Sequence, residues 1–155
     1  MQRRDVLKLF AGAAVLQLAA AEPGAPLFFT KEEFAALDQL TEMIIPADDH
    51  SPGAHDAGVA LFIDKTVAEA FLPEEKTSWR NGLAPFLPLN KLQRLEMLTK
   101  LSSKEENPTT DPERFFGQLK ESTAHAYYSS KIGIHQDMQY RGNVIQIEFA
   151  GYDAT

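Results

Sequence analysis

The sequence predicts a small all-α fold, a single-domain bundle of about five helices followed by an extended C-terminal tail. Three observations predict it. Apolar residues recur at three- and four-residue spacing in five successive stretches, each opened by a cap or a proline. No βαβ alternation and no internal repeat interrupts them. At 155 residues, 44% of them hydrophobic, the chain suffices for one core that buries about two-thirds of the unfolded surface.

Residues 1–21 read as an export signal: Arg3-Arg4 at the front, an apolar run from Leu9 to Ala21 broken only by Gln17, and small residues before Glu22. As a helix that run reaches only about 20 Å, short of a bilayer core of about 30 Å, so it is a signal before it is an anchor. The paired arginines in Gln2-Arg3-Arg4-Asp5-Val6-Leu7-Lys8 and the alanine-rich core point to a twin-arginine signal, the route taken by folded proteins. Residues 1–21 are therefore expected to be the signal peptide, 22–133 a helical domain and 134–155 a docking tail.

Glu22 to Phe29 is a linker. The first helix opens at Thr30-Lys31-Glu32-Glu33, a capping box with Phe29 and Phe34 placed as a staple. Its stripe is Phe34, Leu37, Leu40, Ile44 and Ile45, and Pro46 ends it. A second stripe, Val59, Phe62, Ile63, Val67, Ala70 and Phe71, leaves Asp64, Lys65 and Glu69 on the opposite face. Pro73 suits the first turn of a third helix, with Trp79, Leu83 and Phe86 turned inward and Pro88 as its breaker. Asn90 caps a fourth helix, in which Leu92, Leu95, Leu98 and Leu101 recur every three residues. Ser102 to Thr110 is a loop. Asp111-Pro112-Glu113 then opens the last long helix, with Asp111 as cap and Phe115, Phe116, Leu119, Thr123, Ala126 and Tyr127 on its apolar side. Beyond Gly133 the helical period disappears.

The tail is too apolar to be left in water. Ile145-Gln146-Ile147-Glu148-Phe149 alternates like a half-buried strand, with no sheet in the chain to join. It either lies across its own helices or docks on a partner, and for the latter Val144, Ile145, Ile147, Phe149 and Tyr152 are the candidates, together with Tyr127 and Tyr128.

Between the first two helices lies a stretch rich in Pro, Gly, Asp and His: Pro46-Ala47-Asp48-Asp49-His50-Ser51-Pro52-Gly53-Ala54-His55-Asp56-Ala57-Gly58. Such a loop presents something. As chemistry, Asp48, Asp49, His50 and His55 could converge on zinc or non-haem iron, which would make the chain a small periplasmic metal-dependent enzyme. That spacing is not diagnostic, since the histidines do not stand at i, i+4 on a helix. The favoured alternative is turn-making: Asp48 and Asp49 bind loop amides, Asp56 caps the following helix, and Ser51-Pro52-Gly53 turns the chain. Asp48, Asp49, His50, Ser51, Pro52, Gly53 and His55 are then docking candidates.

Composition excludes several classes. The chain has no cysteine, hence no disulfide, thiolate zinc site, cysteine-held iron–sulfur cluster or covalent c-type haem. Its net charge is -7, and without residues 1–21 it carries 12 basic against 21 acidic side chains. With no basic patch, nucleic acid is not an expected partner. Neither a dinucleotide glycine fingerprint nor a serine elbow is present, so catalytic, cofactor-binding and metal-binding residues are all expected to be none.

Taken together, the twin-arginine signal, Phe29-Thr30-Lys31-Glu32-Glu33-Phe34, Ile44-Ile45-Pro46-Ala47-Asp48-Asp49, Ser51-Pro52-Gly53-Ala54, Ala57-Gly58-Val59, Phe62-Ile63-Asp64, Tyr127-Tyr128-Ser129-Ser130, Ile132-Gly133 and Gly142-Asn143-Val144 resemble the gluconate 2-dehydrogenase subunit 3 family. The resemblance implies a non-catalytic, chaperone-like small subunit of a periplasmic, membrane-associated sugar or polyol dehydrogenase. Its partners would be a flavin subunit of the glucose-methanol-choline type that holds FAD, often a multihaem cytochrome c, and the twin-arginine translocase. Haem c, and any iron–sulfur cluster, would belong to those partners, and the assembly would be a hetero-oligomer. Relatives often carry prolines after Gly-Asn-Val, where this chain has Ile145-Gln146-Ile147-Glu148.

Overall fold

The computed structural model describes residues 25–143. Among them are five α-helices: α1 Lys31–Ile44, α2 Val59–Glu69, α3 Pro73–Leu83, α4 Lys91–Ser102 and α5 Asp111–Tyr128. A 3-10 turn, Ala84–Phe86, follows α3 and a π-turn, Gly133–Asp137, follows α5. No strand occurs among the described residues, and none of their helices is long and apolar enough to cross a membrane.

The bundle is built on α1 and α5, each of which packs against the other and against α2, α3 and α4. Their stripes meet at a core of Leu37 and Leu40 from α1, Val59 and Ile63 from α2, Leu83 and Phe86, and Leu119 and Tyr127 from α5, all at most 2% exposed. Each such side chain contributes on the order of 1.5–3 kcal/mol of burial. Aromatic edges extend the core from Phe29 to Trp79, from Trp79 to Phe115 and from Phe115 to Phe86, with centroids 5.6–6.3 Å apart.

Helix starts follow local chemistry. Thr30 and Glu33 form a reciprocal capping box at α1, with bonds of 2.8 and 3.2 Å, and Asn90 and Gln93 form another at α4, both 3.0 Å. Pro73 occupies the first residue of α3. At α5 the cap is Thr110 rather than Asp111. Glu113 reaches back to the amides of Thr109 and Thr110 at 2.6 and 3.0 Å, and those two bonds, with the Thr109 hydroxyl, hold its carboxyl down to about 2.

Several expectations are corrected by packing. Helix α3 ends at Leu83, ahead of Pro88, because Pro85 sits in a tighter 3-10 turn. Leu98 and Leu101 are buried whereas Leu92 and Leu95 are exposed, since a strict three-residue repeat slips about 60° per step around a helix. Arg94 takes the inward place instead, donating to the Phe86 and Leu87 carbonyls and to Gln39 Oε1. Phe62 lies on a flank of α2 at 44% exposure, and Phe71, beyond the helix end, is 95% exposed. The chain after Gly133 keeps one turn of π-helix.

Asp64 departs furthest from expectation. It is 1% exposed because the segment placed in the linker folds over it: the Leu27, Phe28 and Phe29 amides all donate to its carboxylate, the latter two to Oδ1 at 3.1 and 2.9 Å. Arg80 closes the strap from α3, with its guanidinium 4.4 Å from the Phe28 ring centroid and an N–H donated to the Phe28 carbonyl at 3.2 Å.

Candidate docking loop

The segment from Ile45 to Gly58 has little regular structure of its own, so its backbone must find partners elsewhere. They come from within the loop, from α1 and from α5. Asp48 makes an Asx turn: its Oδ1 accepts the amides of His50 and Ser51 at 2.8 and 2.9 Å while its own N–H donates to the Ser51 carbonyl at 3.0 Å. Those donated amides hold the Asp48 carboxyl below its ordinary value. The Ala54 amide donates to the Ile45 carbonyl at 2.9 Å and brings the two limbs together.

Glu42, in the last turn of α1, staples both limbs. Its Oε1 accepts from the Ala47 amide at 3.1 Å and its Oε2 from the His55 amide at 2.8 Å. Gly53 lies against this staple, where a Cβ would run into the Glu42 carboxylate and the Ala47 nitrogen. One helical turn earlier Asp38 meets His55, Nδ1 to Oδ2, at 2.7 Å. The hydrogen bond to Asp38, and then its charge, raise the His55 pKa above the ordinary imidazole value.

From the core side, Tyr127 holds the tip. Its hydroxyl donates to the Pro52 carbonyl at 2.7 Å and lies 2.6 Å from Ser51 Oγ. With its proton committed to Pro52, the phenol oxygen accepts from the serine hydroxyl. Ser51 is 5% exposed, Tyr127 2% and Ala54 fully buried. The chain enters α2 through Gly58 at φ 70°, a left-handed position that favours glycine. Gly58 is the cap of α2 and no side chain bonds there, so Asp56 does not have the capping role expected of it.

The docking candidates therefore divide. Ser51, Gly53 and Tyr127 are buried in the loop's foundations and Pro52 is half-buried, whereas Asp48, Asp49, His50, His55 and Tyr128 face solvent. Val144, Ile145, Ile147, Phe149 and Tyr152, like Arg3 and Arg4, lie outside the described residues. His55 is directed at Asp38 of α1 rather than at Asp48. Among the described residues no three His, Asp or Glu side chains converge where a metal ion could sit.

Glu42 and Asp38 also belong to this site, which the sequence pattern did not indicate. Glu42 did leave a signal. A carboxylate in the last turn of a helix opposes the helix dipole, and such a residue needs a local reason, here the two loop amides.

A family model described as gluconate 2-dehydrogenase subunit 3 matches residues 31–144, from the first residue of α1 past the π-turn, with the whole loop inside. No curated protein and no solved structure matches the chain.

Proposed function

Since the chain belongs to the gluconate 2-dehydrogenase subunit 3 family, we propose that it is the non-catalytic small subunit of a membrane-associated sugar or polyol dehydrogenase whose flavin subunit is of the glucose-methanol-choline type. It stabilises that subunit and carries it, folded, through twin-arginine export to the periplasm. FAD and substrate oxidation belong to the flavin subunit, and haem c to a cytochrome partner that takes the electrons onward. The chain's own contribution is a surface.

The observation that carries this reading is the loop. It is immobilised from three sides, by Glu42, by Asp38 and by Tyr127, yet its outward face from Pro46 to His50, with His55 and Asp56, is left to solvent. Fixing a backbone before association removes part of the ordering cost of binding. That face carries the carboxylates of Asp48, Asp49 and Asp56, and it suits a partner surface with basic side chains.

The deciding experiment is a pull-down from the native periplasmic and membrane fractions with this chain as bait, read by mass spectrometry and a flavin absorbance scan. A stoichiometric flavoprotein is expected, and replacement of Asp48 and Asp49 by Asn should weaken its capture. Recovery of a lone monomer carrying stoichiometric zinc or iron would overturn the reading in favour of a metal-dependent enzyme. Arg3→Lys with Arg4→Lys keeps both charges, so an ordinary secretory signal would tolerate the change, whereas twin-arginine export of the flavoprotein should be lost.

A further inference from the structure

Away from the loop, an apolar groove of about 250 Å³ runs between α2 and α5. Trp79, Ile63 and Val67 supply its floor, and Phe62 stands at one side, 5.9 Å from the His125 ring. Its lips carry Thr66, Ser122 and His125. An apolar floor between polar lips suits an extended peptide, which turns alternate side chains down and offers its backbone to the rims.

Where the described chain ends bears on what fills this groove. Tyr128 is one helical turn beyond His125, and the Asp137 carboxylate of the π-turn lies beside its hydroxyl. The Tyr140 amide returns to the Ile134 carbonyl at 2.9 Å, and the Tyr140 hydroxyl holds Asn143 Oδ1 at 2.7 Å. Asn143 is thereby kept near the π-turn, which follows the Tyr128 end of α5. From Tyr128 back to Glu121 along α5 is only about 10 Å, while residues 144–155 can reach about 40 Å when extended.

We propose that residues 144–152 of this chain occupy the groove between α2 and α5 in extended form, with Ile145, Ile147 and Phe149 turned into it and Gln146 and Glu148 turned out. A tethered segment meets the groove at an effective concentration of roughly millimolar, which a second copy at micromolar concentration does not match. Phe62 is covered in the process. The inference stands without the subunit reading, because it concerns the isolated chain.

The chain supplies its own reporters, since it has one tryptophan, Trp79, in the groove floor and no cysteine. Acrylamide quenching of Trp79 would be compared between the full chain and a full-length variant with Ile145, Ile147 and Phe149 all changed to Ser. The variant should show stronger quenching and a red-shifted emission while its helical circular dichroism is unchanged. Separately, Thr66→Cys with Ile147→Cys should be joined within one monomer by a short bis-maleimide linker, a readout that leaves most of the tail intact. Unchanged quenching together with no intramolecular link would overturn the proposal. So would links found only between two chains, which would make a second copy the occupant, or protection of Trp79 that arises only on addition of the flavin subunit.

Discussion

The hydroxyl of Tyr127 is a single oxygen on which the loop's position depends, so Tyr127→Phe is a sharp perturbation. The ring, 2% exposed, remains in its cavity and no methylene is lost. What disappears is the donor to the Pro52 carbonyl at 2.7 Å and the acceptor 2.6 Å from Ser51 Oγ. Because Ser51 is buried, its hydroxyl falls back on the Pro52 carbonyl 3.3 Å away, which satisfies one group in part. A buried hydrogen bond contributes about 0.5–1.5 kcal/mol, and a group left unpaired costs about 1–3 kcal/mol. The expected loss is therefore about 1–3 kcal/mol, less if the serine rotates fully. With a urea slope of about 1–3 kcal/mol per molar, the midpoint should fall by roughly 1 M. Trp79, buried in the same core, reports the transition. The cycle with Ser51→Ala isolates the pair and should give a coupling energy of about 0.5–3 kcal/mol. A midpoint shifted by less than about 0.2 M, with no coupling, would refute the reasoning that the phenol anchors the tip.

Three further perturbations have defined outcomes. Asp64→Ala removes the acceptor of three backbone amides and should cost about 3–5 kcal/mol, with loss of hydrogen-exchange protection at Leu27 to Phe29. Asp64→Asn, which keeps one acceptor oxygen, should cost less, and equal losses would argue against the strap. Gly53→Ala puts a methyl against the Glu42 carboxylate and the Ala47 nitrogen and should destabilise by about 1–3 kcal/mol, measured as a lower thermal midpoint. The His55 pKa is raised in the folded state, so its pairing with Asp38 stabilises fully below the ordinary imidazole pKa and is lost as pH rises through the folded one. Protection of the His55 amide should accordingly fall on the alkaline side, and Asp38→Asn should return the NMR titration midpoint of His55 toward its ordinary value.

Helix existence was readable because five apolar stripes, the Thr30 capping box, the Asn90 cap and Pro73 are local signals that agree with the packing they enter. What was not readable depended on partners distant in sequence. Asp64 reads as a surface residue beside Lys65, and only the return of Leu27 to Phe29 across α2, some 35 residues away, buries it. The leucines of α4 were misplaced for a different reason: a row of identical residues suggests one face, but the spacing of three carries Leu92 and Leu95 away from the core. In the loop, the Asp48 turn was legible because its amides are two and three residues away, but Asp49, expected to bind loop amides as well, makes no such bond among the described residues. The roles of Glu42 and Tyr127 were not, since they reach 13 and 75 residues along the chain.

The loop's anchors also constrain how the proposed docking function can fail. Its fixing residues come from two helices that meet every other helix of the bundle, α1 through Asp38 and Glu42 and α5 through Tyr127. A core defect that shifts α1 against α5 must therefore move the limbs relative to the tip, while Asp→Asn changes on the outer face keep a side-chain oxygen that can still accept the His50 and Ser51 amides and so keep that frame. The two kinds of variant separate in binding. Asp48→Asn with Asp49→Asn should act on charge, slowing association with the flavin subunit and weakening its salt dependence. Tyr127→Phe leaves the surface charge as it was and removes pre-organisation. It should weaken binding by an amount that persists at high salt, where attraction between exposed charges is screened.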